Sequence, residues 1–335
     1  MNRSLIFRLI FLLGTSVFCF AKSTPIPEWI SNHRTVYLES EYLAQRGSGE
    51  TADKAKTDAT SALARYFQMT VSANLSTTMQ SITSGKNVSE QTTVIDDVKV
   101  TSEVDLFVLE YTEPYYFKKE KKWYCVAYIK RADAWTQYMP QIEIAKNKFL
   151  GYYENAQKES DPFIRLPLYK TAWKSGEELL GKLEYGRIIS PKEEVKYKDE
   201  RDKIAEIPVL FEASKKECTI FIKADGDYNR ILTTAVSSAL SKNGFIVTKT
   251  AVGAKYTAEI EIDDNAAGNE PIAITPSVNL KITGTSGTTS YSYETLSSEK
   301  TIAYTIENAR KKAYPKLAKE LEGAVQKDLG DTLKL

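Results

Sequence analysis

Two periodicities organise the first part of the chain. Val98, Val100, Val104, Leu106 and Val108 alternate with Lys99, Thr101, Glu103 and Asp105, the period-two pattern of a long strand with one buried face. A second strand follows in KWYCVAYIK, with Trp123, Cys125, Ala127 and Ile129 on one face. Between them TEPYYFKKEKK predicts a hairpin connection with a charged tip. Upstream, TVYLESEYLAQ (35–45) predicts one or two strands leading into a turn at Gly47 and Gly49. Then Ala52, Ala55, Ala59, Ala62, Leu63 and Tyr66 recur at three- and four-residue steps, which predicts a helix over 51–69. Thr51 can cap that helix, and Asp53 in its first turn complements the dipole. The Ser/Thr/Asn-rich stretch 72–91 predicts a loop or a weak strand. Small alanines let a helix lie close on a sheet, so this half predicts a helix packed on an antiparallel sheet.

From Ala132 to Glu206 the pattern turns helical. Pro140, Pro162, Pro167 and Pro191 predict its division into separate pieces. QIEIAKNKFLGYYENA and LYKTAWKSGEELLGKLEY each carry an apolar helical face, whereas SPKEEVKYKDERDKIAEI is so charged that it predicts a solvated joining helix. Beyond Pro208, CTIFIKA predicts a strand, YNRILTTAVSSALSKNG a helix stopped at Gly244, and FIVTKT a further strand. TAEIEID and SVNLKITG alternate cleanly through Ala258, Ile260, Ile262 and Val278, Leu280, Ile282. One or two strands in TTSYSYETLSSEKTIAYT precede a final helix bearing Ile306, Ala309, Ala313, Leu317, Leu321 and Val325, with Pro315 inside it. The expectation is an α+β chain of two domains, 22–135 and 207–335. Each packs a helix on a mainly antiparallel sheet, and the helical segment 136–206 joins them.

Charge narrows the function classes. Among 335 residues, 45 Lys and Arg balance 44 Asp and Glu, which lacks the electrostatic footprint of a nucleic-acid binder. The basic run Lys118–Lys122 is split by Glu120. Residues 1–21 read as a secretory leader, in which Arg3 and Arg8 precede an apolar LIFLLGTSVFCF too short to span a bilayer comfortably. Cleavage after Ala21 would start the mature chain at Lys22. The alternative is a lipid on Cys19, although Phe18 stands where a lipobox has a small residue. The expected location is therefore periplasmic, with outer-membrane association if Cys19 carries a lipid. Cys125 and Cys218 fall in different expected domains, within strand-like apolar stretches. They read as small buried hydrophobes rather than as a disulfide or metal ligands.

Candidate chemistry is sparse. The Gly47/Gly49 pair between a strand and a helix invites comparison with a phosphate-binding loop, but Glu50 stands where a pyrophosphate would sit, and the P-loop lysine is missing. A turn feeding a packing helix is the expected role. His33, the sole histidine, stands near the expected mature start without a nucleophile elbow anywhere in the chain, and reads as a surface residue. Asp225 and Asp227 read as a turn and cap rather than as a calcium loop, and Asp263 and Asp264 as a hairpin turn. No catalytic residue, cofactor or metal is expected.

The compositional accent is 20 tyrosines. Tyr115, Tyr116 and Phe117 face Trp123 and Tyr124 across the hairpin, either as cross-strand pairs that stabilise the sheet or as anchors for a partner. Tyr291 and Tyr293 share one face of a Ser/Thr-rich strand, either half-exposed or at an edge open to strand addition. These residues, Tyr124 excepted, are the candidate partner contacts.

PEWI (27–30), YLAQRGSGETADKAKTDATSALARYF (42–67) and WYCVAYIKR (123–131) together resemble the LPP-twenty lipoprotein family over about residues 25–135. The shared features are Trp29 near the mature start, Gly47 with Gly49, the Ala52–Ala62 helix and the Val98–Ile129 hairpin. The resemblance implies an α+β envelope module without known catalysis; the related FlgT N-terminal module sits in a periplasmic flagellar ring. The second half is similar, in topology alone, to the modules of TolB's N-terminal domain and of LpoB, an activator of cell-wall synthases. The expected function is that of a non-catalytic scaffold whose partners are other envelope proteins, such as a flagellar basal structure or a peptidoglycan synthase. The competing expectation is a periplasmic small-ligand binder using an interdomain cleft. A ligand binder needs a closed apolar pocket with a few convergent polar groups. A scaffold needs an exposed apolar patch or a free strand edge.

Overall fold

β4 (Lys122–Lys130) organises the first sheet, pairing antiparallel with β1 (Tyr42–Gly49) on one side and with β2 (Glu110–Tyr111) and β3 (Tyr115–Phe117) on the other. The computed structural model describes residues 25–84, 108–333 and 335. The expected leader with Cys19, and the alternating stretch Val98–Leu106, lie outside them. The arm expected to be a simple connection is itself strand: Tyr111 opposes Ala127 and Tyr115 opposes Tyr124, so residues 112–114 bulge against β4. Pro114 cannot donate to the ladder, and Thr112 compensates there. Its N–H donates to the Val126 carbonyl at 3.0 Å, and its Oγ1 accepts from the Val126 N–H at 3.0 Å. The charged tip shrinks to Lys118–Lys121.

The alternation of β4 is as read from the chain: Cys125, Ala127 and Ile129 are buried beneath a helix. That helix, α2 (Ala52–Ser84), follows β1 after a bend at Glu50–Thr51. Gly47 and Gly49 are therefore strand residues and not a turn, which corrects the expectation. They face α2 where no side chain fits: a Cβ on Gly47 would stand 2.1 Å from the Ala59 nitrogen and 2.5 Å from the Ala55 oxygen. A Cβ on Gly49 would stand 2.8 Å from the Ala55 nitrogen. Glycine below and alanine above bring strand and helix backbones into contact. α2 also runs 15 residues beyond the expected end at Met69. Val71, Leu75, Met79 and Ile82 continue the buried ladder of Ala55, Ala59, Leu63 and Phe67. This apolar spacing outweighs the weak helix propensity of Ser and Thr, and Thr60, Thr70 and Thr77 satisfy their hydroxyls on carbonyls one turn back.

On the opposite face of this sheet lies the N-terminal segment, a 3-10 turn (Glu28–Ile30) and the one-turn helix α1 (His33–Val36). Trp29 and Ile30 pack with Tyr124 and Val126, flanked by Tyr115 and Phe117.

α3 (Arg131–Lys158), α4 (Pro162–Ile189), the short α5 (Pro191–Glu194) and α6 (Lys198–Glu217) form the middle of the molecule. Pro162 and Pro191 start helices as expected, but Pro140 and Pro167 lie inside α3 and α4 without ending them. Each costs about 3 kcal/mol in an isolated helix. Burial of Tyr138, Ile142 and Phe149 around the first, and of Phe163, Leu166 and Tyr169 around the second, offsets that. The expected solvated helix is also only half solvated. Ile204, Ile207 and Phe211 of α6 are buried, and its Arg201 bonds Glu184 of α4 at 2.7 Å and Glu194 at 2.7 Å. Glu184 is fully buried, so the charges that suggested solvent exposure pair inside the structure. α6 runs continuously through residues 206–207.

The second sheet has strand order β10-β9-β7-β5-β6. Its strands are β5 (Thr219–Ala224), β6 (Ile246–Thr248), β7 (Tyr256–Asp263), β9 (Ser277–Gly284) and β10 (Thr289–Leu296). β5 runs parallel to β6 and β7, and the remaining pairs are antiparallel. A separate pair joins β8 (Ile272–Ile274) to β11 (Thr301–Ala303). Helices α7 (Ile231–Lys242) and α8 (Ile306–Leu333) pack on each other and on the apolar face of Ile220, Ala258, Ile260, Leu280 and Ile282. The chain is α+β, as its two periodicities indicate. One hydrophobic cluster runs from Leu43 under α2 through α4 to Leu329 of α8. At its middle Asp161 caps α4, accepting from the N–H groups of Phe163 and Ile164 at 2.9 and 3.2 Å and from the Tyr256 hydroxyl of β7.

Candidate functional site

The residues with chemical potential are committed to structure. The Ser48 N–H, between the two glycines, donates to Asp58 Oδ2 at 3.0 Å, and Thr51 Oγ1 accepts from the Lys54 N–H at 3.2 Å. The start of α2 is thus closed by its own side chains. Asp227 accepts from the N–H groups of Leu232 and Thr233 at 3.1 and 2.8 Å, capping α7 as expected. Asp264 does more than turn the chain: it accepts from Arg310 at 2.8 and 2.6 Å and from the Tyr314 hydroxyl at 3.0 Å, holding α8 against the β7 end.

Cys125 and Cys218 are buried free thiols. Burial raises both pKa values, that of Cys218 to about 12, which leaves almost no thiolate near neutral pH. His33 is not a plain surface residue: it opens α1, is half-buried, and has an unpartnered buried Nε2. Burial lowers its pKa below 6.5, against a hydrogen bond at the Ala44 backbone. Among the described residues no cluster of His, Cys, Asp and Glu could hold a metal ion, and no helix is long and apolar enough to cross a membrane.

The six candidate contact residues separate into three environments. Tyr115 and Phe117 belong to the face covered by Trp29 and Ile30. Tyr291 and Tyr293 on β10 pack against the main core on the α8 side, and the Tyr291 hydroxyl is buried beside Asp328. β10 is an edge strand of its sheet. Tyr116 and Trp123 are different. They oppose each other in register one step from the turn of the hairpin, with ring centroids 5.5 Å apart. Strand alternation places them on the α2 side, Trp123 level with Gly49. Tyr116 is 40% exposed, and among the described residues neither ring belongs to a hydrophobic cluster.

Four lysines lie between these two residues at the turn, Lys118, Lys119, Lys121 and Lys122, all exposed. The order of residues gives no sign of what Glu120 does among them: its carboxylate accepts from the Tyr124 hydroxyl. That bond raises the Tyr124 pKa above the usual phenol value, while Arg46 stacks over the same ring at 5.1 Å.

A cleft of 520 Å³ lies between α2, α4 and the Glu39 loop. Its size suits a small ligand, but seven of its ten lining residues are Glu39, Thr70, Asn74, Thr77, Thr78, Arg131 and Arg187, not the mainly apolar wall such sites use. Arg131 is already spent there, donating to the carbonyls of Glu39 at 2.7 Å, of Ile189 at 2.9 Å and of Ile188.

No family model matches this chain. No curated protein matches it either. Among solved structures it is similar to three bacterial proteins. One is a protein assigned as a lipoprotein of Caulobacter crescentus CB15, at 17% identity over 36% of this chain and 93% of that one, with a TM-score of 0.25. A minor lipoprotein of Acinetobacter baumannii aligns at 13% identity over 33% and 94%, with a TM-score of 0.25. A secreted protein of Helicobacter pylori aligns at 13% identity over 88% and 98%, with a TM-score of 0.34. Likeness of this degree says nothing of function.

Proposed function

We propose that this chain is a non-catalytic cell-envelope protein that works by contact, through the aromatic pair Tyr116–Trp123 at the end of the first-domain hairpin. The observation that carries this reading is the position of that pair: two amphipathic rings in tilted contact across β3 and β4, outside both hydrophobic clusters. Buried aromatics stabilise a sheet, whereas exposed Tyr and Trp are the side chains from which interfaces draw their anchors. The leader-like residues 1–21 and the LPP-twenty resemblance support a periplasmic setting, associated with the outer membrane if Cys19 carries a lipid. Within that setting the partner is another envelope component, such as a flagellar basal structure or a peptidoglycan synthase. The competing small-ligand reading draws little from the polar walls of the 520 Å³ cleft.

Tyr116→Ala with Trp123→Ala tests the reading, scored by co-sedimentation with the envelope fraction of the native host. Losing the cross-strand pair is expected to cost about 1 kcal/mol of stability, leaving a folded protein whose envelope association falls. Undiminished association in the folded double variant would place the contact elsewhere.

A further inference from the structure

The hairpin tip that carries the aromatic pair also carries the densest unpaired charge of the first domain. Lys118, Lys119, Lys121 and Lys122 face one glutamate in the same stretch. Glu120 does not sit among the ammonium groups, because its carboxylate is drawn to the Tyr124 hydroxyl, on the sheet face opposite Tyr116 and Trp123. None of the four lysines makes an ion pair with a described residue, in a molecule whose other lysines do so repeatedly. Glu113 lies at the base of β3, not at its tip.

We infer that this tip docks on an anionic lipid surface, with the four lysines over the headgroups and Tyr116 and Trp123 in the interface. The inference rests on the reading that this aromatic pair is the contact, and names its partner class. Three features favour a lipid surface over an acidic protein. Tyr and Trp beside Lys is the composition of the membrane–water belt, where the rings are half apolar and half wet. The cations are all lysines, mobile point charges suited to a diffuse charged plane. Arginine, whose planar fork recognises individual carboxylates, is missing from the tip. The tip is also a turn, Lys118–Lys121, whose residues are all exposed. Trp29 and Ile30 pack beside Phe117 and Tyr124, so the segment following the expected leader enters the domain next to this tip. A lipid on Cys19 would therefore anchor the chain close to this tip.

The test uses the purified protein with Cys19→Ser, so that no acyl chain contributes, and two vesicle compositions: phosphatidylethanolamine with phosphatidylglycerol, and phosphatidylcholine alone. Co-sedimentation is expected with the anionic vesicles only, falling as salt rises. Lys118→Gln, Lys119→Gln and Lys122→Gln, with Lys121→Asn because φ is 54° there, are expected to weaken binding roughly five-fold per lysine removed. Trp123→Phe is expected to abolish most of the blue shift in tryptophan emission on binding. Equal binding to both compositions, or unchanged binding by the quadruple variant, overturns the inference. If vesicles are ignored while envelope association still depends on Tyr116 and Trp123, the partner is a protein: the lipid inference falls and the contact reading stands. If neither vesicles nor that dependence is found, both fall.

Discussion

Replacing Gly47 by alanine probes the contact that seats α2 on the first sheet. The added methyl would lie 2.1 Å from the Ala59 nitrogen, 2.5 Å from the Ala55 oxygen and 2.7 Å from the Ala59 Cα. Non-bonded atoms settle near ~3.5 Å or beyond, so α2 must retreat by more than ~1 Å. All three obstacles are backbone atoms, and no side chain can rotate away to make room. A gap of that size also forfeits about a quarter to a half of the dispersion attraction across it, at Ala55, Ala59 and Leu63, which are fully buried. Overpacking commonly costs ~1–3 kcal/mol, and with rigid neighbours the upper end applies: about 3 kcal/mol or more. In urea titrations followed by tryptophan fluorescence, the midpoint is expected to fall with the slope unchanged. Gly323→Ala is the control. That glycine is exposed inside α8 with nothing within 4 Å of the added Cβ, so the variant should gain about 0.5–1 kcal/mol. A Gly47→Ala protein as stable as the parent would refute the seated-helix account. It would also revive the anion-loop reading, in which the glycines serve a ligand and not the fold.

Arg201→Ala leaves Glu184, whose side chain is fully buried, with Arg187 at 3.5 Å and Thr78 at 3.4 Å among the described residues, and takes the partner of the buried Glu194 as well. It is expected to cost ~3 kcal/mol in chemical denaturation, while Glu184→Leu with Arg201→Leu and Glu194→Gln, which removes every charge of the buried cluster, recovers most of that. His33 has its pKa lowered below 6.5 by burial, so the unfolded chain binds its proton more readily than the folded one. Its contribution to stability is full above pH 6.5 and is lost as pH falls through the lowered value. His33→Gln should flatten that part of a stability–pH profile. Cys218, raised to about 12 and buried, should resist alkylation at mildly alkaline pH until urea is added. Peptide mass spectrometry would read this, and rapid native labelling would contradict it.

Much of this architecture is legible in the chain because burial repeats at the spacing of the backbone. The alternation of β7 and β9 and the stripe Ala309, Ala313, Leu317, Leu321 of α8 are buried as their periods require. The misread segments are those where a local signal opposed a tertiary one. Ser and Thr in residues 72–84 suggested a loop, yet a four-residue apolar ladder runs beneath them. Lys and Glu in α6 suggested solvent, yet Arg201 and Glu184 meet inside. Gly47 and Gly49 suggested a turn, since sequence alone does not separate a glycine chosen for its φ from one chosen for lack of a Cβ. The candidate site was visible only as a list of aromatics. Register decided which of them are covered: Tyr115 and Phe117 fall on the Trp29 face, and the intervening Tyr116 falls on the other. The turn of Glu120 toward Tyr124 leaves no trace in the order of residues.

The claim that this protein works through the hairpin end is tested most directly inside the living host, with a photoreactive phenylalanine in place of Tyr116 and, separately, in place of Lys281. Lys281 stands on the open face of the second sheet, paired with Glu261 at 3.3 Å. On illumination, position 116 should yield a discrete lipid or protein adduct while position 281 stays unmodified. Adducts of equal yield from both positions, or none from 116, would contradict the account.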